Sequence, residues 1–133
     1  IGSPAMNFFK TKLVRGDGKL FVDGGSFKVE TPAEHNEAYS KFEGRPVIMG
    51  IRPEDIQDPQ FLPPGIFPQP VDGLIDVTEL MGNEIQLYVT TGEHSFVARV
   101  DPRTKAKMGE KTQLVFNMSN MHLFDPETEK AIR

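Results

Sequence analysis

Three histidines, His35, His94 and His122, and several close-set acids are the groups with which this chain could move protons or hold a metal. There is no cysteine, which excludes disulfides, thiolate metal sites and cysteine nucleophiles. No histidine stands in HExxH or at ligand spacing from another, as a helical zinc site needs. In Glu34-His35-Asn36-Glu37 the helical spacing puts His35 on an apolar face, where it reads as a packing residue. His94 falls in a turn and reads as solvated. Asp55, Asp58 and Asp72 do not follow the calcium-loop pattern. There is no GxSxG elbow for a serine nucleophile, no GxxxxGK[ST] and no GxGxxG. Gly16-Asp17-Gly18-Lys19 is too short to wrap a phosphate, and Lys19 opens a strand rather than a helix. Taken alone, the chain has no catalytic, cofactor-binding or metal-binding signature.

The most pointed segment is Gly50-Ile51-Arg52-Pro53-Glu54-Asp55, directly after the apolar run Val47-Ile48-Met49. A core strand would not continue into an arginine, a proline and two acids. Pro53 pushes Arg52 out of the helical region. Arg52 and Glu54 are two apart, so in extended chain they project to one side. The segment reads as a strand exit that presents charge at a joint.

Charged residues make up 26% of the chain and apolar ones 38%, an ordinary soluble globular balance at a size of about one domain. The net charge of −4, with Lys and Arg scattered among acids, disfavours nucleic-acid binding. No apolar run approaches the roughly 20 residues of a membrane span. Ile1–Met6 lacks the charged and apolar regions of a signal peptide.

The elements are short. Gly16-Asp17-Gly18 and Asp23-Gly24-Gly25 signal turns around Lys19–Val22 and before Ser26–Glu30. Glu84–Thr90 alternates with Ile85, Leu87 and Val89 on one face, and Ser95–Asp101 turns Phe96, Ala98 and Val100 inward, with a Thr-Gly-Glu turn between. Val71–Thr78 and Gln113–Asn117 are further strands. Thr31-Pro32-Ala33-Glu34 has the form of a capping box opening a helix over 32–42, stopped by Gly44. The five prolines of 58–70 predict an extended connector, since proline gives no ladder hydrogen bond. One short helix among seven or more strands predicts an all-β fold of small antiparallel barrels of the OB type. The expected division is a sub-barrel over 1–57, a connector over 58–70, and a second segment over 71–133 whose end returns to complete the fold.

Four segments carry a resemblance: IGSPAMNFF at 1–9, MGIRPED at 49–55, ELMGNE at 79–84 and MHLFDPETEKAI at 121–132. Their order and spacing resemble the C-terminal regulatory region of ATP-binding subunits of sugar-type ABC importers, the group that includes the maltose importer's ATPase. Glu129 departs from the pattern, standing where many relatives have glycine. The resemblance implies an OB-like barrel followed by a TOBE segment. It implies an ATPase domain upstream, holding ATP and Mg, and no cofactor in this chain. It also implies a homodimer, transmembrane permease subunits as partners of the parent, a possible regulatory protein, no nucleic acid, and a cytoplasmic place at the membrane face. The implied interface or regulatory residues are Gly50, Ile51, Arg52, Pro53, Glu54, Glu79, Gly82, Asn83, Glu84, His122 and Phe124. Gly82-Asn83 is expected to be a turn with positive φ, whose edge could meet the ATPase domain or a regulator. A free-standing TOBE-type module binding an oxyanion is the alternative, although no concentrated set of Lys, Ser and turn amides is visible for it.

Overall fold

A computed structural model of the chain describes residues 5–133. Ten strands run β1 (Asn7–Gly16), β2 (Lys19–Asp23), β3 (Lys28–Glu30), β4 (Pro46–Ile51), β5 (Ile56–Gln57), β6 (Pro68–Met81), β7 (Glu84–Thr91), β8 (His94–Val100), β9 (Lys111–Asn117) and β10 (His122–Phe124). They form two antiparallel five-stranded sheets, in the orders β10-β4-β1-β2-β3 and β5-β9-β6-β7-β8. The fold is all-β, its two antiparallel sheets curled into half-barrels.

Alternation builds both sheets. In β1, Asn7, Phe9, Thr11 and Leu13 are buried while Phe8, Lys10 and Lys12 are exposed, the period of two that a half-buried strand requires. This ten-residue strand has no place among the strands expected from sequence. Asp17 and Gly18 both take positive φ between β1 and β2, the requirement of a type I′ hairpin, which an Asp-Gly pair meets at least strain.

One apolar core spans both sheets. Phe9, Leu13, Met49, Ile51 and Leu123 of the first sheet pack in the same cluster as Ile75, Leu87, Val89, Phe96 and Phe116 of the second. Phe9, Phe27, Phe96 and Phe116 meet with ring centroids 5.3 to 5.8 Å apart. Each such fully buried side chain contributes about 1.5–3 kcal/mol by leaving water. His94 is not a solvated turn residue: its ring lies 5.4 Å from that of Phe9 and 5.5 Å from that of Phe27, and its Nε2 is 2.7 Å from the Gly24 carbonyl. The expectation failed because the hairpin tip folds against Gly24 and Phe27 rather than into solvent.

The helical segment is shorter than the capping box suggests. Only α1 (Asn36–Tyr39) is α-helical, with 3-10 turns before and after it, and Pro32 occupies the cap position without a side-chain bond. The Thr31 hydroxyl is buried instead, 3.2 Å from the Leu20 carbonyl and 2.7 Å from the Asn36 amide oxygen. Tyr39 is buried, and burial raises its pKa. His35 is exposed, its ring 5.7 Å from that of Tyr39 and tilted 42° to it, so it does not sit on the apolar face. The 3-10 turns change the angular step per residue, which breaks the helical spacing used to place it.

The proline-rich stretch is strand at its end. Pro68, Gln69 and Pro70 pair with Asn117, Phe116 and Val115 of β9. Since β7 joins β6 only from Leu74 onward, both prolines lie on the stretch of β6 with one partner, where a missing N–H is tolerated. Upstream of them, buried Asp58 accepts from the Gln60 N–H and the Thr104 hydroxyl, and the Arg103 guanidinium lies 4.4 Å over the Phe61 ring.

Candidate functional site

Val47 to Ile51 is a core strand, but it changes sheets at its end. β4 pairs with β1 and β10 as far as Ile51, and five residues later β5 pairs with β9 in the other sheet. Gly50 is where the outer face of β4 is covered most closely. A Cβ there would stand 2.5 Å from Met6 Sδ and 3.0 Å from Phe124 Cε2. Glycine lets Met6 and Phe124 lie against the strand.

Arg52 keeps the extended backbone that Pro53 demands, at φ −76° and ψ 151°. Pro53–Asp55 is then a 3-10 turn with Pro53 buried. Arg52 and Glu54 therefore do not project from one extended chain, and the same-side expectation is corrected: proline at the first position of a helical turn starts it as readily as it ends a strand. Glu54 faces Arg99 of β8 at 3.8 Å. Arg52 is exposed and forms no ion pair among the described residues.

The charge at this exit opens into a cleft of about 760 Å³. Arg52, His122, His35, Tyr39 and Lys41 line it, with Glu34 and Glu37 opposite in sign. The cleft brings together Arg52 and His122 of the sequence-derived set. Phe124 lies beside it on the outer face of the first sheet, its ring 6.3 Å from that of His122 and 6.0 Å from that of Phe8.

Glu79, Gly82, Asn83 and Glu84 lie apart from this cleft, at the tip of the β6–β7 ribbon. Met81 pairs with Glu84, leaving Gly82 and Asn83 as the two turn residues. Only Gly82 has positive φ, at 63°, so the expectation for Asn83 does not hold. Glycine first with an ordinary second residue is the requirement of the type II′ hairpin. Glu79 pairs with Gln86. The ribbon shows what sequence reasoning passed over. A bulge at Asp76 interrupts the pairing between Ile75 and Val77, and beyond it β6 exposes Val77, Leu80 and Met81, with Leu80 70% exposed. Met108, 67% exposed, sits beside the ribbon's base, where Gly109 donates to the Ile75 carbonyl. The available signal was the apolar doublet Leu80-Met81 next to a turn, where polar residues are usual.

Asn7 was also missed. Its amide nitrogen donates to the Ile51 carbonyl at 3.1 Å and to the Val97 carbonyl at 2.9 Å, and its amide oxygen accepts from the Val97 N–H at 2.9 Å. One buried side chain thus joins the end of β4 to the free edge of β8. Among the described residues no group of three or more His, Cys, Asp or Glu could hold a metal.

Comparison with known proteins follows this geometry closely. Residues 2–56 match the model of the MalK OB fold domain, and residues 49–124 match that of the TOBE domain. The chain belongs to the MalK-type OB fold and TOBE domain family. The two matches overlap over 49–56, the stretch where the backbone passes from one sheet to the other. Relatives include the multiple sugar-binding transport ATP-binding protein MsmK of Streptococcus mutans, 42% identical over 134 residues, covering 100% of this chain and 35% of the relative. The osmoprotective compounds uptake ATP-binding protein GgtA of Synechocystis is 39% identical over 99% of this chain and 36% of the relative. The oligosaccharides import ATP-binding protein MsmX of Bacillus subtilis is 38% identical over 100% of this chain and 36% of the relative. The chain spans about a third of the length of these relatives. Among solved structures, the cytoplasmic molybdate-binding protein ModG superposes with a TM-score of 0.63 at 15% identity, covering 95% of this chain and 99% of that one. That likeness is one of fold.

Proposed function

We propose that this chain is the C-terminal, non-catalytic regulatory and dimerisation domain of the ATP-binding subunit of a carbohydrate ABC importer. The observation that carries the reading is the span of the match: the whole chain aligns with about a third of sugar-transport ATP-binding proteins. ATP and Mg belong to the domain upstream of residue 1, and this chain needs neither. The parent works on the cytoplasmic face of the membrane with transmembrane permease subunits. In this reading Arg52 and His122 offer a charged cleft to a regulator, and the ribbon carrying Glu79, Gly82, Asn83 and Glu84 meets a second copy of the chain through Val77, Leu80 and Met81. Exposed Val77 and Met81 on one face of the ribbon and Leu80 on the other support that role, since exposed apolar side chains on soluble domains mark contact surfaces.

The oxyanion alternative is not favoured: the cleft lined by Arg52, Lys41 and Arg133 is also lined by Glu34 and Glu37, which oppose an anion. The test is sedimentation of the full-length parent with Leu80→Ser beside the unchanged protein. The variant should bind ATP as before and dimerise about tenfold more weakly, a difference of about 1.4 kcal/mol. Unchanged self-association would remove the ribbon from the interface. A reading frame upstream of residue 1 that lacks GxxxxGK[ST] would remove the ATPase assignment itself.

A further inference from the structure

The cleft beside Arg52 holds one buried polar group that the fold leaves without a partner. Tyr39 lines the cleft and is 4% exposed. Its hydroxyl makes no hydrogen bond among the described residues, yet no side-chain oxygen among them is both sealed from solvent and unpaired. The little surface that Tyr39 keeps therefore includes the hydroxyl, which opens into the cleft. Burial raises the Tyr39 pKa, so the group stays a neutral O–H. The other deeply buried lining, Met121 and Leu123, is apolar. The walls above carry charge of both signs: Glu34 and Glu37 come from the helical segment, and Arg52 from the exit of β4. Among the described residues none of these three side chains forms an ion pair or a hydrogen bond.

We infer that this cleft binds a neutral oligosaccharide, an inference that rests on the reading above, in which the cleft receives the regulator of a carbohydrate importer. An anion would meet Glu34 and Glu37, and a cation would meet Arg52, Lys41 and Arg133. A sugar hydroxyl avoids both conflicts, because its O–H donates to a carboxylate while its oxygen accepts from a guanidinium. A further hydroxyl of the same ligand pairs with Tyr39 and removes the cost of a buried polar group without a partner. A zwitterion satisfies the charged walls and leaves that phenol unpaired. The exposed His35 ring, 5.7 Å from that of Tyr39, adds a flat surface on which the C–H face of a sugar ring can lie. The volume of about 760 Å³ falls within the range of roughly 300–1,000 Å³ usual for small-molecule sites.

The test is NMR of the full-length parent, labelled at its methionine methyl groups and titrated with maltotriose, raffinose and sucrose. Met121 lines the cleft, and Met81, 43% exposed at the tip of the ribbon, is the reference. At least one of the sugars should shift the Met121 methyl saturably, with a midpoint in the millimolar range, and leave Met81 unmoved. Tyr39→Phe removes the hydroxyl and keeps the ring, and should raise that midpoint about fivefold, the worth of one hydrogen bond. Glu37→Gln, at an exposed position that the core does not need, should raise it as well and serves if Tyr39→Phe fails to fold. No shift with any of the three sugars, equal shifts of Met121 and Met81, or a midpoint that the folded variants leave unchanged would overturn the inference. So would saturation by glycine betaine or inorganic phosphate in place of the sugars. ATP binding by the same sample separates the two failures: a parent that binds ATP but no sugar overturns this inference alone, and a parent without an ATP-binding domain overturns the proposed function with it.

Discussion

Replacing Asn7 with alanine tests whether one amide holds the two sheets at their joint. The side chain is 5% exposed and makes three hydrogen bonds: two from its nitrogen, to the Ile51 and Val97 carbonyls, and one from the Val97 N–H to its oxygen. Truncation removes all three and takes a partner from each of those backbone groups, with Ile51 fully buried and Val97 7% exposed. A net intramolecular hydrogen bond contributes about 0.5–1.5 kcal/mol, and a buried group left unpaired costs about 1–3 kcal/mol. Because β8 is an edge strand, water reaches part of the vacated site, and a total of about 2–4 kcal/mol follows. At a urea m-value of about 2 kcal/mol/M, the unfolding midpoint falls by about 1–2 M with m unchanged. Asn7→Asp keeps an acceptor for the Val97 N–H but turns a carboxylate towards two carbonyls, and should be at least as damaging near neutral pH. A loss below about 0.5 kcal/mol for Asn7→Ala, the size of an ordinary surface substitution, would refute the joint.

Gly73→Ala should destabilise by about 1–3 kcal/mol, because its Cβ would meet Val89 Cγ1 at 2.4 Å and the Thr90 carbonyl oxygen at 3.3 Å. Gly50→Ala should cost less, since the Met6 thioether that blocks it can swing away, and urea midpoints measured together give the ranking. Glu129→Gly should stabilise by about 0.5–1 kcal/mol, the left-handed penalty of a side chain less glycine's unfolded-state entropy, because Glu129 holds φ at 62°; a lowered midpoint would contradict it. The Arg103 side chain, hydrogen-bonded to Asp101, holds that carboxyl at about 2 against an ordinary 3.8. The pair's contribution is therefore complete above pH 3.8 and is lost as pH falls towards 2. Carbon-detected NMR titration should place the Asp101 midpoint near 2, and Arg103→Gln should move it back towards 3.8.

Where local chemistry decides structure, the sequence was sufficient. Ile85, Leu87 and Val89 alternate against Phe96, Ala98 and Val100 in β7 and β8 as expected, and Asp17-Gly18 and Gly82 mark their hairpins. The capping box failed because Thr31 found a better partner in the Leu20 carbonyl, a tertiary bond that no local pattern contains. Pro68 and Pro70 read as connector in the sequence because proline excludes a two-sided strand. A stretch of strand with one neighbour does not appear in any local signal. β1 escaped notice because Asn7 and Thr11 occupy inward positions that a hydrophobic pattern leaves blank. Both are buried and hydrogen-bonded, Asn7 across the joint and Thr11 to the Val47 carbonyl.

The backbone passes from one sheet to the other over Gly50–Asp55, yet the residues with the most visible chemistry there do not hold that passage. Charge drew attention to Arg52 and Glu54 because a charged pair beside a proline is conspicuous in one dimension. In three dimensions Arg52 faces the open cleft, and the Glu54–Arg99 contact, at 3.8 Å between partly exposed groups, is of the kind that contributes about 0–1 kcal/mol. The fastening comes from a neutral amide whose partners lie 44 and 90 residues away in the chain. This division of labour follows from desolvation. The joint is buried in the intact protein, so the group that fastens it must satisfy buried backbone without carrying charge. Asparagine, with donor and acceptor on one planar head, can replace a missing strand rung at the edge of β8. A charged side chain is left for the surface, where a partner can meet it, and charge at a strand exit is accordingly better evidence of an interface than of a fastening.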